Sequence, residues 1–131
     1  MPDTLRLAVL GASGRMGRAV VKAALEDSRF EIVSAHARAG SDGIGKDAAT
    51  LAGCPPCGVS VSDDLVTVVD AADVVIDFTR PESTVDAASV CASARRALVS
   101  GTTGMDGAAR AALAEAASRI PVFWAPNMSI G

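Results

Sequence analysis

An α/β domain built on a doubly wound, mostly parallel sheet is the fold class that this 131-residue sequence predicts. Three observations carry that expectation. Short apolar runs alternate with stretches of helical period from the first residues onward, and alternating β and α units produce a parallel sheet with right-handed crossovers. The glycine-rich stretch Gly11-Ala12-Ser13-Gly14-Arg15-Met16-Gly17 stands between the first apolar run and the first helical stretch. Finally, Val74-Val75-Ile76 has no polar interruption, as in a strand covered on both faces.

The elements follow in order. Leu5–Leu10, apolar but for Arg6, reads as a strand. Residues 14–26 place Met16, Ala19, Val20, Ala23 and Ala24 at helical spacing. Residues 31–35 form a second strand. Residues 38–58 are poor in pattern and rich in glycine, a long loop with a short helix near 48–52. A short strand is expected at 59–61 and a helix over 63–71, with Ser62 placed to cap it. Residues 72–78 read as a strand. Pro81 suits the first turn of a helix running to about residue 95. A strand at 98–100, an alanine-rich helix over 106–118 and a buried strand at 121–125 complete the series. No internal repeat or low-complexity tail is visible.

Composition narrows the function. Half the residues are hydrophobic but only 3% are aromatic, so the core is expected to be aliphatic. A net charge of −3 gives no reason to expect nucleic acid as a partner. No apolar run is long enough to cross a bilayer, and the first residues show no signal-peptide pattern. General acid–base chemistry has few candidates, because His36 is the only histidine and Lys22 and Lys46 are the only lysines. The three cysteines are Cys54, Cys57 and Cys91. Cys54-Pro55-Pro56-Cys57 reads either as a stiff structural loop or as a dithiol, but one pair cannot complete a zinc site, so no metal is expected. Cys91 falls in a helical pattern and is expected in the core. An odd count without an export signal suits a cytoplasmic protein.

The glycine-rich turn has the strand-then-helix context of a Rossmann phosphate-binding loop, although its spacing is GxxGxxG rather than GxGxxG. Gly11 permits a sharp turn, Gly14 clears space for a pyrophosphate, and Gly17 lets the helix approach the sheet. Free N–H groups and the helix dipole then favour phosphates. Arg15 and Arg18 add positive charge, though Arg18 reads equally as a solvated helix residue. At the end of the second strand, an NAD site places an acid to bind the ribose hydroxyls. Here no acid lies between Val33 and Gly40; Ala37 and Arg38 stand there instead. Arg38 is either an exposed loop residue or a clamp for an adenosine 2′-phosphate, and the latter biases the cofactor towards NADPH. His36 joins such a site if it points outward. Asp77-Phe78-Thr79-Arg80-Pro81-Glu82, Gly101-Thr102-Thr103-Gly104 and Ala125-Pro126-Asn127-Met128-Ser129 sit at the carboxyl ends of later strands, where ligands bind in this architecture. Asp77 and Thr79 read either as ligand contacts or as caps for the helix at Pro81.

The set GASGRMG, DFTRPE, GTTG and APNMSIG, in this order and at these separations, resembles the cofactor-binding domain of the 4-hydroxy-tetrahydrodipicolinate reductase (dihydrodipicolinate reductase) family of lysine and diaminopimelate biosynthesis. The resemblance covers nearly the whole chain. It implies an oxidoreductase that reduces a cyclic dicarboxylate with NADPH or NADH. Carried over position by position, it implies that Gly11, Ala12, Ser13, Gly14, Arg15 and Met16 line the pyrophosphate and that Arg38 meets the 2′-phosphate. It further implies that Gly101, Thr102 and Thr103 follow the nicotinamide half, with Phe78 and Thr79 near the cofactor and Ala125, Pro126, Asn127 and Met128 at the nicotinamide and the domain hinge.

Two departures qualify this. Ala37 stands where some members carry the acidic ribose ligand. The family's second domain, which carries a His-His-x-x-Lys motif and a Ser-Gly-Thr segment for the dicarboxylate and the proton, has no counterpart here. Residues 1–131 are therefore expected to form an incomplete N-terminal dinucleotide-binding domain, without catalytic residues, that binds cofactor and does not turn over alone. The family's homotetramer is expected only with the second domain. Two other readings stay open: a stand-alone NAD(P)-sensing regulatory domain, and a different two-domain dehydrogenase, against which the DFTRPE and GTTG segments argue.

Overall fold

The structure, a computed structural model, describes residues 4–125. Its elements are β1 (Leu5–Leu10), α1 (Arg15–Leu25), β2 (Phe30–His36), α2 (Ala48–Leu51), β3 (Val61–Ser62), α3 (Leu65–Asp70), β4 (Val74–Asp77), α4 (Pro81–Ala94), β5 (Ala97–Ser100), α5 (Gly107–Ala117) and β6 (Val122–Trp124). The six strands form one sheet of order β3-β2-β1-β4-β5-β6, every neighbouring pair parallel. The strand order reverses between β1 and β4, so the crevice above these two strands is the topological switch point.

Two cores flank the sheet. On one face Leu7, Val9, Ile32 and Ala35 pack against Val21 and Ala24 of α1 and Ala48 of α2. On the other, Ala8, Leu10, Val75 and Leu98 meet Val68, Ala87, Ala88, Cys91, Ala109 and Leu113 from α3, α4 and α5. Small alanines let these helices lie close to the sheet. In α1 the buried stripe is Gly17, Val21 and Ala24, whereas Ala19 and Ala23 of the expected stripe are exposed. The reason is steric: Gly17 is the side of the helix that touches the glycine turn, and it fixes which side faces inward.

Three further expectations are corrected. The short strand lies at Val61–Ser62 rather than 59–61. Ser62 ends that strand, and Asp64 caps α3 by accepting from the Thr67 N–H at 3.2 Å. The last strand is an edge strand, with Phe123 58% exposed, and is not buried. Ile76, Val99 and Phe123 lie in register along one face of β4, β5 and β6. The all-apolar run in β4 therefore has deep cover on one side, where Val75 and Asp77 are fully buried, while Val74 and Ile76 are only partly covered on the other.

The pattern-poor stretch 38–58 has a physical centre at Asp47. Its carboxylate caps α2 through the Ala49 and Thr50 N–H groups and also accepts from the Cys57 and Gly58 N–H groups, at 2.8–3.2 Å. The Cys54–Cys57 turn thus wraps one acid. Cys54, Cys57 and Cys91 are unpaired, and Cys91 is buried in α4. No helix among the described residues is long and apolar enough to cross a membrane.

Candidate functional site

A cleft of about 300 Å³ opens at the switch point, above the carboxyl ends of β1, β2 and β4. Gly11, Ser13 and Gly14 form its floor, His36 and Arg38 one end, and Phe78 and Thr79 the opposite wall.

The glycine turn is built by its own backbone. Gly11 has φ +75°, the left-handed region that favours glycine. The Gly11 and Ala12 N–H groups both donate to the His36 carbonyl at 3.0 Å, and the Gly14 N–H donates to the Gly11 carbonyl. These bonds hold the turn against the end of β2. The N–H groups of Arg15, Met16 and Gly17 begin α1 and precede any intrahelical acceptor. A Cβ at Gly14 would meet only the Gly11 carbonyl, at 3.4 Å. Protein atoms leave that position open towards the cleft, the geometry a phosphate needs to reach backbone N–H groups. The fit to a dinucleotide pyrophosphate is therefore good.

Arg38 lies exposed at the mouth of the cleft, and among the described residues no carboxylate pairs with it. Its loop is anchored to the turn: the Ser13 and Ser41 hydroxyls lie 3.2 Å apart, and Ser41 accepts from the Gly43 N–H. His36 is half-buried and lines the cleft. Burial pushes its imidazole below the ordinary value, with the Asp63 main chain and the Asp63 and Asp64 carboxylates pulling the other way.

Not all expected residues meet at the cleft. Ala12 is fully buried beneath it. Met16 is half-buried and does not line the cleft, and Arg15 faces a shallow groove with Arg18, Lys22, Leu51 and Ala52. Gly101 lies under the Phe78 ring, where a Cβ would come within 2.8 Å of Cδ1 and Cζ. Thr102 is buried and Thr103 exposed. Ala125 is tied to β5 by its N–H to the Ser100 carbonyl at 3.0 Å. Pro126, Asn127 and Met128 lie outside the described residues.

Asp77 and Thr79 do not cap α4; Arg80 holds the N-cap position before Pro81 and makes no side-chain cap. Instead Asp77 accepts hydrogen bonds from the hydroxyls of Thr79, Thr84, Ser100 and Thr102. Arg80, in the stretch from Asp77 to Glu82 expected at the pocket, lines the cleft, whereas sequence reasoning missed Ser41, Leu65, Ser83 and Asp86 on its wall. Ser83 and Asp86 carry a helical signal from Pro81 onward, but Ser41 sits in a loop with no pattern to read. Among the described residues no cluster of His, Cys, Asp or Glu is suited to a metal.

A parallel sheet of this order with a glycine-floored cleft at its switch point defines a Rossmann-type dinucleotide-binding domain. A family model described as "Dihydrodipicolinate reductase, N-terminus" matches residues 5–128. The chain belongs to that family and corresponds to its N-terminal domain. It is 49% identical over 126 residues to the 4-hydroxy-tetrahydrodipicolinate reductase of Anaeromyxobacter dehalogenans (strain 2CP-C), covering 96% of this chain and 47% of the relative. It is 48% identical over 128 residues to the enzyme of the same name from Alkalilimnicola ehrlichii, covering 98% and 48%. The chain thus spans about half the length of the curated relatives it matches. Among solved structures, dipicolinate-bound dihydrodipicolinate reductase from Paenisporosarcina sp. TG-14 shares the fold, with a TM-score of 0.70, 24% identity, and coverage of 95% of this chain and 48% of that one. An amine dehydrogenase from Mycobacterium smegmatis gives a TM-score of 0.65 at 27% identity, covering 75% and 30%.

Proposed function

We propose that this chain is the NAD(P)H-binding half of a reductase that converts 4-hydroxy-tetrahydrodipicolinate to tetrahydrodipicolinate in lysine and diaminopimelate biosynthesis. The observation that carries the reading is the conjunction of family and place: the family match spans residues 5–128, and the glycine floor lies at the switch point of the sheet. When bound, the dinucleotide supplies the hydride. The residues of this chain bind and orient it: Gly11, Ser13 and Gly14 leave the pyrophosphate room against the N-terminus of α1, and Phe78, Thr79 and the Gly101–Thr103 segment border the nicotinamide half. Arg38 at the open end favours NADPH, since its guanidinium matches a 2′-phosphate in shape and charge.

The dicarboxylate, the proton donor and any homotetramer contacts belong in this reading to the part of the relatives' length that this chain does not span. The partly covered row Ile76, Val99 and Phe123 supports such a complement. A cytoplasmic setting is part of the same proposal, supported by three unpaired cysteines. The test is a pair of titrations of the 131-residue protein with NADPH and NADH, followed by an assay with the dicarboxylate. Binding without turnover, with turnover restored in a chain of the relatives' length, is the expected result. Failure to bind either nucleotide overturns the reading.

A further inference from the structure

The most deeply buried acid among the described residues has no assigned role at the cleft. Asp77 ends β4 with no exposed surface, and no cation touches it among the described residues. A buried carboxylate needs hydrogen-bond donors in place of water. Here they are four hydroxyls from three separate segments. Thr79 Oγ1 donates to Oδ1 at 2.5 Å. Thr84 Oγ1, Ser100 Oγ and Thr102 Oγ1 converge on Oδ2 at 2.5, 2.8 and 3.1 Å. Thr84 also lies 2.8 Å from Thr102 Oγ1, which accepts the Thr79 N–H at 3.1 Å. Ser100 Oγ accepts the Thr102 N–H at 3.3 Å. From there the chain of contacts continues to the edge strand, because Trp124 Nε1 donates to the Thr102 carbonyl at 2.9 Å.

We propose that Asp77 is a positioning residue: its carboxylate locks the Phe78–Thr79 turn, the first turn of α4 and the Gly101–Thr103 segment into one unit, and thereby sets the nicotinamide half of the cleft. This rests on the dinucleotide reading above. A carboxylate suits the place because it is acceptor-only and takes several hydroxyl donors at once. An apolar residue would remove the carboxylate acceptor that the Thr84, Ser100 and Thr102 hydroxyls share. An amide keeps the shape but turns one acceptor into a donor. With its oxygen at the Oδ2 position, an Asn at 77 would aim its NH2 at Thr79, whose hydroxyl must then turn towards the Arg80 carbonyl, now 3.4 Å away. The disturbance falls on the wall of the cleft and leaves the adenosine end, at Arg38, untouched.

The experiment compares Asp77→Asn with the unaltered 131-residue protein, using NADPH and adenosine 2′,5′-bisphosphate as probes. The bisphosphate reaches only the adenosine half. The expected result is a loss of about tenfold in NADPH affinity, the size of one reorganised hydrogen bond, with bisphosphate affinity unchanged. In the ligand-free protein, emission from Trp124, the only tryptophan, should shift because its N–H partner is the Thr102 carbonyl. Equal losses for both probes, or unchanged NADPH affinity together with unchanged Trp124 emission, would overturn the proposal. If the unaltered protein binds neither probe, the dinucleotide reading falls, while the Trp124 shift still decides whether Asp77 sets the Gly101–Thr103 segment. Should Asp77→Asn not fold, Thr84→Val and Ser100→Ala each remove one donor with little change of volume and must show the same split between probes.

Discussion

Replacing Gly17 by alanine separates the glycine that builds the turn from the glycine that serves the ligand. A Cβ at Gly17 would lie 2.6 Å from the Gly11 carbonyl carbon and 2.9 Å from Ala12 Cα, and closer still to the Gly11 carbonyl oxygen. All three are backbone atoms, so no side chain can swing aside. Restoring ordinary contact means moving α1 away from the turn by about 1.5 Å, the kind of overpacking that costs about 1–3 kcal/mol. That shift pulls on the bonds from Gly11 and Ala12 to the His36 carbonyl, now 3.0 Å each, and weakening them adds about 1 kcal/mol. Alanine's better helix propensity returns only about 0.5–1 kcal/mol. The net loss is about 1–3.5 kcal/mol, which for a chain of this size lowers the melting temperature by about 3–18 °C. Gly14→Ala is the control. It has φ −84° and meets only the Gly11 carbonyl, at 3.4 Å, so its stability loss stays below about 1 kcal/mol. Its methyl group projects towards the cleft and should weaken NADPH binding by about tenfold or more, by keeping phosphate from the N–H groups. Thermal melts and NADPH titrations of both variants provide the check. A Gly17→Ala protein that melts with the unaltered one would refute the packing argument. A Gly14→Ala protein that binds normally would show that no phosphate approaches this turn.

Arg38→Ala should weaken NADPH by about 10- to 100-fold through the lost charge-assisted bonds and leave NADH affinity unchanged; parallel titrations measure the ratio, and equal losses would remove the 2′-phosphate assignment. A thiol reagent should modify Cys54 and Cys57 in the folded protein and reach Cys91 only after denaturation, because burial, with the Asp77 carboxylate nearby, pushes the Cys91 thiol up to about 12. Burial raises the Asp47 carboxyl, but the N–H groups of Thr50, Gly58, Cys57 and Ala49 outweigh it and hold it below the ordinary value. A group with a lowered folded value stabilises fully above its unfolded value, about 4, and loses that contribution as pH falls through the folded one. The gap in melting temperature between the unaltered protein and Asp47→Asn should therefore be constant from neutrality to about pH 5 and close below about pH 4; a gap that widens in acid would contradict the assigned bonds.

Much of the fold is legible because its signals are local. A strand, a glycine turn and a helix occupy consecutive residues, and Pro81 starts α4 where its fixed φ belongs. What escapes the sequence depends on partners far away along the chain. In β2, Ile32 and Ala35 face the same core although they stand three apart, which strict alternation forbids. The register explains it: Leu7 pairs with Ile32 but Ala8 with Ser34, so Val33 is the extra residue of a bulge. Ser34 then turns to the opposite face, where its hydroxyl donates to the Val68 carbonyl of α3 at 2.7 Å. Neither strand announces this, because a bulge is a property of the pair.

The site divides in the same way. Gly11, Gly14 and Arg38 can be picked out because each does its work through its own backbone or charge. Thr79, Thr84, Ser100 and Thr102 span 24 positions of the chain and read singly as ordinary turn and strand-end hydroxyls. Only the parallel register, which sets Asp77 beside Ser100, gathers them around one buried acid. That register also explains why an acid is tolerated there. Beyond Asp77 and Ser100 the chain turns away from the sheet, so the Thr79 turn, the first turn of α4 and Thr102 bring their hydroxyls to the acid. The same turning away of the chain at the strand ends leaves the switch point open to a ligand. Burying Asp77 and opening the cleft are thus two consequences of strands that stop at the same level, and a change that disturbs one is expected to be felt at the other.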